Sequence, residues 1–297
     1  MILQGVNMIK AITAALLLSL SMTAFALSPE QIAEYRAAAD KGEAWAQYNL
    51  GIMYANGEGV PEDDATAVKW YTKAAEQGYA DAQLNLGLMY DYGRGVPEDD
   101  ATAVKWYTKA AEQGVAKAQY NLGGMYEDGH GVPENDATAV KWYTKAAEQG
   151  DAAAQNNLGV MYEDGHGVPE NDATAVKWYT KAAEQGYAKA QYNLGFMYAN
   201  GDGVPEDDAT AVKWYTKAAE HGFAQAQYNL ALLYAKGEGV PQDNVMAYMW
   251  WNLAAAQGDE NAKENKGKLQ DSMTSAQIEE AQTLSRECLA KDYKTCG

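Results

Sequence analysis

Two histidines at matching places in a repeated pattern are the side chains of this chain best suited to metal chemistry. His130 and His166 each stand in the sequence Glu-Asp-Gly-His-Gly, 36 residues apart. Imidazole and carboxylate groups bind metal ions, so a metal site would combine both turns and take further ligands from Glu127, Asp128, Glu163 and Asp164. The matching place in the other copies of the pattern holds Glu58, Arg94, Asp202 and Glu238. A place that accepts arginine is typical of an exposed turn, so we predict that these histidines bind no metal.

Side-chain arrangements for covalent or phosphate chemistry do not occur in the sequence. There is no Ser-x-x-Lys or Gly-x-Ser-x-Gly motif of the kind that positions a serine nucleophile. There is also no Gly-x-x-x-x-Gly-Lys loop to hold phosphates. We therefore predict no catalytic residue and no cofactor, and we expect that the protein is not an enzyme.

The charge balance of the chain is strongly acidic. Its 297 residues include 23 Lys and Arg against 41 Asp and Glu, which gives a formal net charge of −18. Such a surface repels the phosphates of nucleic acids and the anionic headgroups of membranes. We therefore expect a protein or peptide partner and no nucleic acid.

A sequence pattern that repeats every 36 residues sets the positions of these side chains. A glycine opens each copy, at Gly42, Gly78, Gly114, Gly150, Gly186 and Gly222, and again at Gly258. A fixed period of this size indicates supersecondary units that bury their apolar faces only against their neighbours. The sequence predicts one array of six repeats, at residues 42–77, 78–113, 114–149, 150–185, 186–221 and 222–257.

Each repeat has the pattern of two helices. In the first repeat, Ala46, Leu50 and Met53 mark one apolar helical face. The turn Gly57-Glu58-Gly59 ends that helix, and the acidic residues that follow are suited to cap a second helix. Capping explains these acidic turns better than calcium binding does. The fold class is therefore all-α, an α-solenoid of helix pairs, and we expect the recurring tryptophan of the second helix, such as Trp70, in its core.

The first 26 residues have the three parts of a secretory signal peptide. A basic residue, Lys10, precedes an apolar run at 11–20, and Ala24-Phe25-Ala26 is a small-x-small cleavage site. We predict a signal peptide at 1–26, with cleavage after Ala26, and we leave open whether Met1 or Met8 is the start. The alternative is an uncleaved membrane anchor, although the apolar run is short for a membrane span.

Helical caps are expected at both ends of the array. Residues 27–41 form the N-terminal cap, because Ser28-Pro29 is a helix start and the segment matches the second half of a repeat. Residues 258–297 leave the repeat pattern and form the C-terminal cap. After signal cleavage we expect no membrane span, and the oligomeric state stays open.

A Gly-x-Gly-Val-Pro turn, a Trp-Tyr pair and an Ala-Ala-Glu-Gln-Gly ending recur along residues 42–257. Together they resemble the Sel1-like repeat, a relative of the tetratricopeptide repeat. The tail from Trp250 to Gln282 also resembles the ending of bacterial Sel1-like proteins. The resemblance implies a right-handed superhelix of antiparallel helix pairs that acts as a scaffold or adaptor. It also implies frequent export in bacteria and no shared catalytic residues.

Cys288 and Cys296 are the only cysteines, and both belong to the predicted C-terminal cap. The seven residues between them resemble the spacing of the cystine in cysteine-rich Sel1-like proteins. Export would place the pair in an oxidising compartment, so we predict a disulfide. Some cysteine-rich relatives are linked to β-lactam binding or hydrolysis. They carry a disulfide in nearly every repeat, so that similarity is weak here.

From repeat to repeat, the first helix varies at particular positions, whereas the sequence of the second helix is nearly unchanged. Counting the opening glycine as one, the variation falls on the fourth, seventh, eleventh, fourteenth and fifteenth residues. At 100° per residue these positions share one sector, apart from the core positions. We call this sector the variable stripe. By analogy with related solenoids it lines the concave groove, and its predicted partner-binding residues are Trp45, Tyr48, Tyr92, Lys117, Tyr120, Asn156, Lys189, Tyr192, Phe196 and Tyr228.

Two interpretations of the variable stripe stay open at this point. Tyrosine with scattered charge is typical of a protein-recognition surface. Alternatively, the seventh and eleventh residues pack between repeats and vary as core residues do. The favoured function is an exported, periplasmic or secreted scaffold, adaptor or regulator. The alternatives are a secreted effector that binds a host protein and, less favoured, a β-lactam-binding or β-lactamase-like enzyme.

Overall fold

The computed structural model describes residues 28–294 and residue 296, and this part of the chain consists of helices joined by short turns, with no β-strand. It contains fifteen α-helices. In chain order they are α1 Pro29–Asp40, α2 Ala44–Asn56, α3 Asp64–Glu76, α4 Ala80–Asp91, α5 Asp100–Glu112, α6 Ala116–Asp128, α7 Asp136–Glu148, α8 Ala152–Asp164, α9 Asp172–Glu184, α10 Ala188–Asn200, α11 Asp208–Glu220, α12 Ala224–Lys236, α13 Asn244–Ala256, α14 Glu260–Gln270 and α15 Ser275–Ala290.

The second helices of the repeats and the two terminal helices begin at side-chain caps, whereas the first helices of five repeats have none. In the first repeat the carboxylate of Asp63 accepts a hydrogen bond from the Thr66 backbone N–H at 2.9 Å and from the Thr66 hydroxyl at 2.6 Å. The two terminal helices, α1 and α15, open with capping boxes at Ser28 and Thr274. Each cap satisfies N–H groups that have no partner inside the helix, so the predicted helix starts are confirmed.

The Gly-x-Gly turn is fixed by backbone conformation and by close contact with the preceding repeat. Gly57 ends α2 in the left-handed region, at φ 71°. In the next repeat Gly95 has φ 68°, and a Cβ on it would lie 2.4 Å from the carbonyl carbon of Asp64. Only glycine suits both the conformation and the contact, so the turns of the second to sixth repeats each contact the start of the second helix of the repeat before.

Within each of the first five repeats a tyrosine packs its ring onto a glycine. A Cβ on Gly51 would lie 2.4 Å from the ring of Tyr71, which is 3% exposed. The next four repeats repeat this contact. The sixth repeat carries Ala231 and Trp251 at the two places, both buried. The tyrosine ring therefore sets the distance between the two helices of a repeat.

The recurring tryptophan is less buried than predicted. Trp250 is fully buried and Trp214 is 9% exposed, but the matching residues of the first four repeats are only half-buried. In those repeats a lysine lies over the tryptophan ring, as Lys73 does over Trp70 at 4.0 Å from the ring centroid. The prediction of a tryptophan core holds only in part for these four residues, which are partly buried and pack against the core clusters. The side chain that fills the interior is the tyrosine beside each of them.

Successive helices pack in chain order from α1 to α14, and α13 contacts both α14 and α15. Buried clusters join the second helix of one repeat to the first helix of the next, as Ala67, Tyr71 and Leu86 do between the first and second repeats. This arrangement is the predicted α-solenoid. In the C-terminal cap Cys288 and Cys296 are at disulfide distance, the pairing that the sequence predicts.

The predicted signal peptide at 1–26 lies outside the described residues. Between Ser28 and Lys294, no helix has both the length and the apolar character that crossing a membrane requires.

Candidate functional site

The variable stripe carries most of the large apolar side chains that face solvent. Four such side chains are exposed in the described part of the chain. Three of them are stripe residues: Trp45 is 42% exposed, Tyr92 is 69% exposed and Phe196 is 39% exposed. The fourth, Leu289, belongs to the C-terminal cap. Trp45 packs edge-on against Tyr35 of the N-terminal cap at 5.8 Å between ring centroids, and the exposed surfaces of all three aromatic side chains can still contact a partner.

The stripe tyrosines at the seventh position are half-buried because they also pack between repeats. Tyr48 lies 5.0 Å from Tyr79 between ring centroids, and Tyr192 lies 5.2 Å from Phe223. Tyr120 packs against the core tyrosine of its own repeat. The hydroxyl of Tyr228 accepts a hydrogen bond from the Asn265 side chain at 3.2 Å. Tyr48 and Tyr192 therefore join neighbouring repeats, Tyr120 packs within its repeat, and Tyr228 joins the last repeat to the C-terminal cap.

Two of the predicted residues are exposed lysines. Lys117 lies over the ring of Tyr120, with Nζ 4.4 Å from the centroid. Lys189 occupies the matching place two repeats later and is also exposed. A lysine held over an aromatic face keeps its charge available on the surface while its position is fixed.

Asn156 does not belong to the accessible part of the stripe. It is fully buried, at 0% exposure. Its amide donates to the side-chain oxygen of Asn157 at 3.3 Å, and its own oxygen accepts from Asn193 of the next repeat at 3.1 Å. These contacts satisfy a polar group that would be costly to bury alone. The prediction that Asn156 contacts a partner is therefore corrected to a role in joining two repeats.

The middle of the stripe is acidic, and its carboxylates are held by the buried core tyrosines. The hydroxyl of Tyr107 donates to Asp91 at 2.8 Å, and that of Tyr143 donates to Glu127 at 2.5 Å. The hydroxyl of Tyr179 donates to Glu163 in the same way. The other three repeats have alanine at the matching place, Ala55, Ala199 and Ala235. The second, third and fourth repeats therefore form an acidic section of the stripe.

Burial raises the pKa values of Glu163 and Tyr143 in this acidic section. Burial raises the pKa of Glu163 above its ordinary value of 4.5. The hydrogen bond from Tyr179 opposes that shift, while the negative charges of Asp164, Asp172 and Asp202 add to it. Burial, and then the bond to Glu127, raises the pKa of Tyr143 above 10. The phenols therefore stay protonated and keep donating to the carboxylates.

A hollow opens in the acidic section where the third repeat has a small residue. The eleventh position is Gly124, whereas the other repeats carry Ile52, Leu88, Val160, Phe196 and Leu232 there. The hollow has a volume of about 270 Å³ and is lined by Asp91, Tyr120, Asn121, Gly124, Met125, Glu127, Asp128, His130, Tyr143 and Asn157. Gly124 and Asp91 were not among the predicted site residues. The signal for this hollow was the single glycine at a position where the other five repeats have a large apolar residue.

The matching histidines lie on exposed turns. His130 and His166 are both exposed. Across the described residues, no three His, Cys, Asp or Glu side chains gather closely enough to hold a metal ion. The arrangement offers hydrogen bonds, negative charge and aromatic contact, which are the means of binding a partner.

Comparison with known proteins gives the sequence and the fold a family context. A family model described as Sel1 repeat matches six consecutive stretches, residues 46–79, 80–115, 116–151, 152–187, 188–223 and 224–259. The comparison with curated proteins gave no match.

Two solved structures are similar to this chain over most of its length. One is a protective antigen present in uropathogenic Escherichia coli strains that displays an SLR fold. It is 39% identical with a TM-score of 0.80, and the match covers 88% of this chain and 56% of the antigen. The chain therefore spans little more than half the length of that protein. The other is a Sel1 repeat protein from Oxalobacter formigenes, 36% identical with a TM-score of 0.65, covering 77% of this chain and 88% of its own.

Proposed function

The chain belongs to the Sel1 repeat family, whose members generally act as scaffolds for protein–protein interaction, and on that premise we propose that it binds a protein or peptide segment along its variable stripe. The observation that carries the proposal is the position of the exposed apolar side chains. Three of the four in the described chain, Trp45, Tyr92 and Phe196, fall on the stripe. Aromatic residues of this kind are the usual anchors of protein interfaces.

The charge of the stripe supports a partner segment with basic residues. Asp91, Glu127 and Glu163 stand in three successive repeats, and Asp128 and Asp164 follow two of them directly. Complementary charge raises association rates and helps to select the partner. A lysine or arginine side chain of the partner would meet these carboxylates, while its apolar residues would meet the exposed rings of Tyr92 and Phe196.

The half-buried tyrosines are poor targets for testing this proposal. Replacing Tyr120, Tyr192 or Tyr228 by alanine would remove packing between repeats as well as any partner contact. We therefore choose Trp45, Tyr92 and Phe196, which are exposed. The matched control replaces exposed lysines of two second helices, Lys105 and Lys177, outside the stripe.

The experiment selects peptides from a displayed random library on the purified protein and then measures their affinity for each variant. We expect selected peptides to be rich in Lys and Arg beside an apolar residue. Their affinity should fall at least about tenfold in the triple variant Trp45→Ala, Tyr92→Ala, Phe196→Ala. A tenfold loss corresponds to about 1.4 kcal/mol of binding free energy. It should stay unchanged in the double variant Lys105→Ala, Lys177→Ala. Equal affinity of the triple variant and wild type would show that the variable stripe is not the binding surface.

Export is the second part of the proposal. It is supported by the signal-peptide pattern at 1–26 and by the paired cysteines Cys288 and Cys296, which suit an oxidising compartment. N-terminal sequencing of the protein from its source cells should read from Leu27. Recovery from the periplasm would favour a scaffold of the cell envelope, and recovery from the medium would favour an effector. A protein that starts at Met1 or Met8 in the cytoplasm would refute export.

A further inference from the structure

A ladder of glutamine pairs ties the repeats together along one edge of the solenoid. In the first repeat the amide of Gln77 donates to the side-chain oxygen of Gln47 at 2.7 Å. Gln47 in turn donates to the backbone carbonyl of Ala39 at 3.2 Å. The same two bonds recur in four further repeats, with the pairs Gln113–Gln83, Gln149–Gln119, Gln185–Gln155 and Gln257–Gln227. The sixth and last residues of a repeat thus satisfy each other.

The fifth repeat breaks this ladder. Its last residue is His221, where the other five repeats have glutamine. Gln191 still donates its amide to the carbonyl of Ala183 at 3.1 Å. Its side-chain oxygen has no hydrogen-bond partner, although Gln191 is only 3% exposed. A buried acceptor without a donor is rare and unfavourable, so this oxygen marks a place where a donor is missing.

The unpaired oxygen belongs to a hollow at the edge of the solenoid. The hollow has a volume of about 430 Å³ and is lined by Ala183, Glu184, Gly186, Gln191, Lys217, Glu220, His221 and Lys294. The disulfide-closed tail comes close here, because a Cβ on Gly222 would lie 3.2 Å from the ring of Tyr293. The sixth residue of a repeat lies about 130° around the first helix from the centre of the variable stripe. The hollow is therefore separate from the proposed partner surface.

We propose that this hollow binds a small zwitterion, an amino acid or the equivalent group of a larger molecule. The Gln191 side-chain oxygen can only accept, and its amide nitrogen already donates to Ala183, so the ligand must bring a hydrogen-bond donor. Helices α9 and α11 end at the hollow with Glu184 and Glu220, and the C-terminal end of a helix attracts positive charge. An ammonium group meets both requirements.

A lysine of the hollow defines the other half of the ligand. Lys217 lies over the ring of Trp214, with Nζ 4.4 Å from the centroid, which fixes the position of its charge. A carboxylate on the ligand suits this ammonium group. The volume exceeds that of an amino acid, so the hollow also has room for a substituent.

The test uses three probes that differ in one group each: alanine, alaninamide without the carboxylate, and N-acetylalanine without the ammonium. The full-length protein is labelled with ¹⁵N, and the side-chain amide signal of Gln191 is assigned by its loss in Gln191→Met. We expect a saturable shift of this signal with alanine, a roughly tenfold weaker affinity for alaninamide, and no shift with N-acetylalanine. Absence of any saturable shift with alanine, equal affinity for alanine and alaninamide, or binding of N-acetylalanine would overturn the assignment.

Two variants place the binding at the break in the ladder. His221→Gln restores the residue that five repeats have, so it should fold, complete the bond to Gln191 and weaken alanine binding at least about tenfold. The same change on an exposed turn, His166→Gln, is the control and should bind as wild type does. Lys217→Met should weaken alanine but not alaninamide. If His221→Gln binds alanine as wild type does, the histidine only accommodates the tail and the proposal fails.

Discussion

Two adjacent glycines in helix α6 test how the repeats are packed. A Cβ on Gly123 would lie 2.7 Å from two ring carbons of Tyr143, far inside normal contact. A Cβ on Gly124 would meet only the hydroxyl of Tyr143, at 3.5 Å. The tyrosine ring is 1% exposed, so it has little room to move. Its hydroxyl is also held by Glu127 at 2.5 Å and by Asn157 at 3.2 Å.

The two substitutions to alanine should therefore have different effects on stability. Both gain about 0.5–1 kcal/mol, because alanine is the better residue inside a helix. Overpacking a buried site typically costs about 1–3 kcal/mol, and only Gly123→Ala incurs that cost. We expect Gly124→Ala to be slightly more stable than wild type. Gly123→Ala should be less stable than Gly124→Ala by about 1–3 kcal/mol, the overpacking term alone.

The assay is urea unfolding at 25 °C followed by circular dichroism. Repeat arrays can unfold in more than one step, so midpoints are compared only where the slopes agree. The difference between the two variants matters more than either value, because the gain from helix propensity cancels. Equal midpoints for Gly123→Ala and Gly124→Ala would refute the idea that the tyrosine ring needs a glycine opposite it.

Three further predictions concern pH, the tail and the surface. The pKa of Glu163 is raised in the folded chain, so the folded chain binds this proton more tightly than the unfolded chain does. The protonated carboxyl therefore stabilises the fold at low pH, and this stabilisation is lost as pH rises through the folded pKa. Glu163→Gln should therefore match wild type at about pH 4 and unfold at higher urea near pH 7, and a constant difference between the two pH values would contradict this. Cys288→Ser should lower stability by about 2–3 kcal/mol, the chain-entropy value for so short a loop, and dithiothreitol should then affect wild type alone. Arg94→Ala removes an exposed ion pair with Asp64 and should change the free energy of unfolding by less than about 1 kcal/mol, so a larger loss would show that the pair does more than a surface contact.

The fold is well predicted from the sequence because each local signal recurs from repeat to repeat. Asp63 and its equivalents occur before each second helix, and Gly57 with Gly59 marks each turn, so every local signal is seen several times over. Capping and left-handed glycine are local effects that do not depend on distant packing. The helix boundaries therefore follow from residues within a few positions of each end.

Packing between helices is less visible in the sequence. Trp70 recurs in all six repeats and Tyr71 in five of them, and only the contact of Tyr71 with Gly51 decides which ring is more deeply buried. Asn156 stands where four other repeats have tyrosine, which suggested surface variation, yet it is buried against the next repeat. The place of His221 outside the glutamine pattern is visible in the sequence, but its consequence for Gln191 requires the structure.

The most direct test of the proposed binding surface is photo-crosslinking from defined positions. A photoreactive phenylalanine analogue would replace Tyr92 or Phe196 on the variable stripe, or Lys105 or Lys177 on the second helices, and each protein would be irradiated in extract of its source cells. We expect both stripe positions to crosslink to the same protein, identified by mass spectrometry, and the second-helix positions not to do so. Crosslinks to that protein from the second helices alone would show that the variable stripe is not the binding surface.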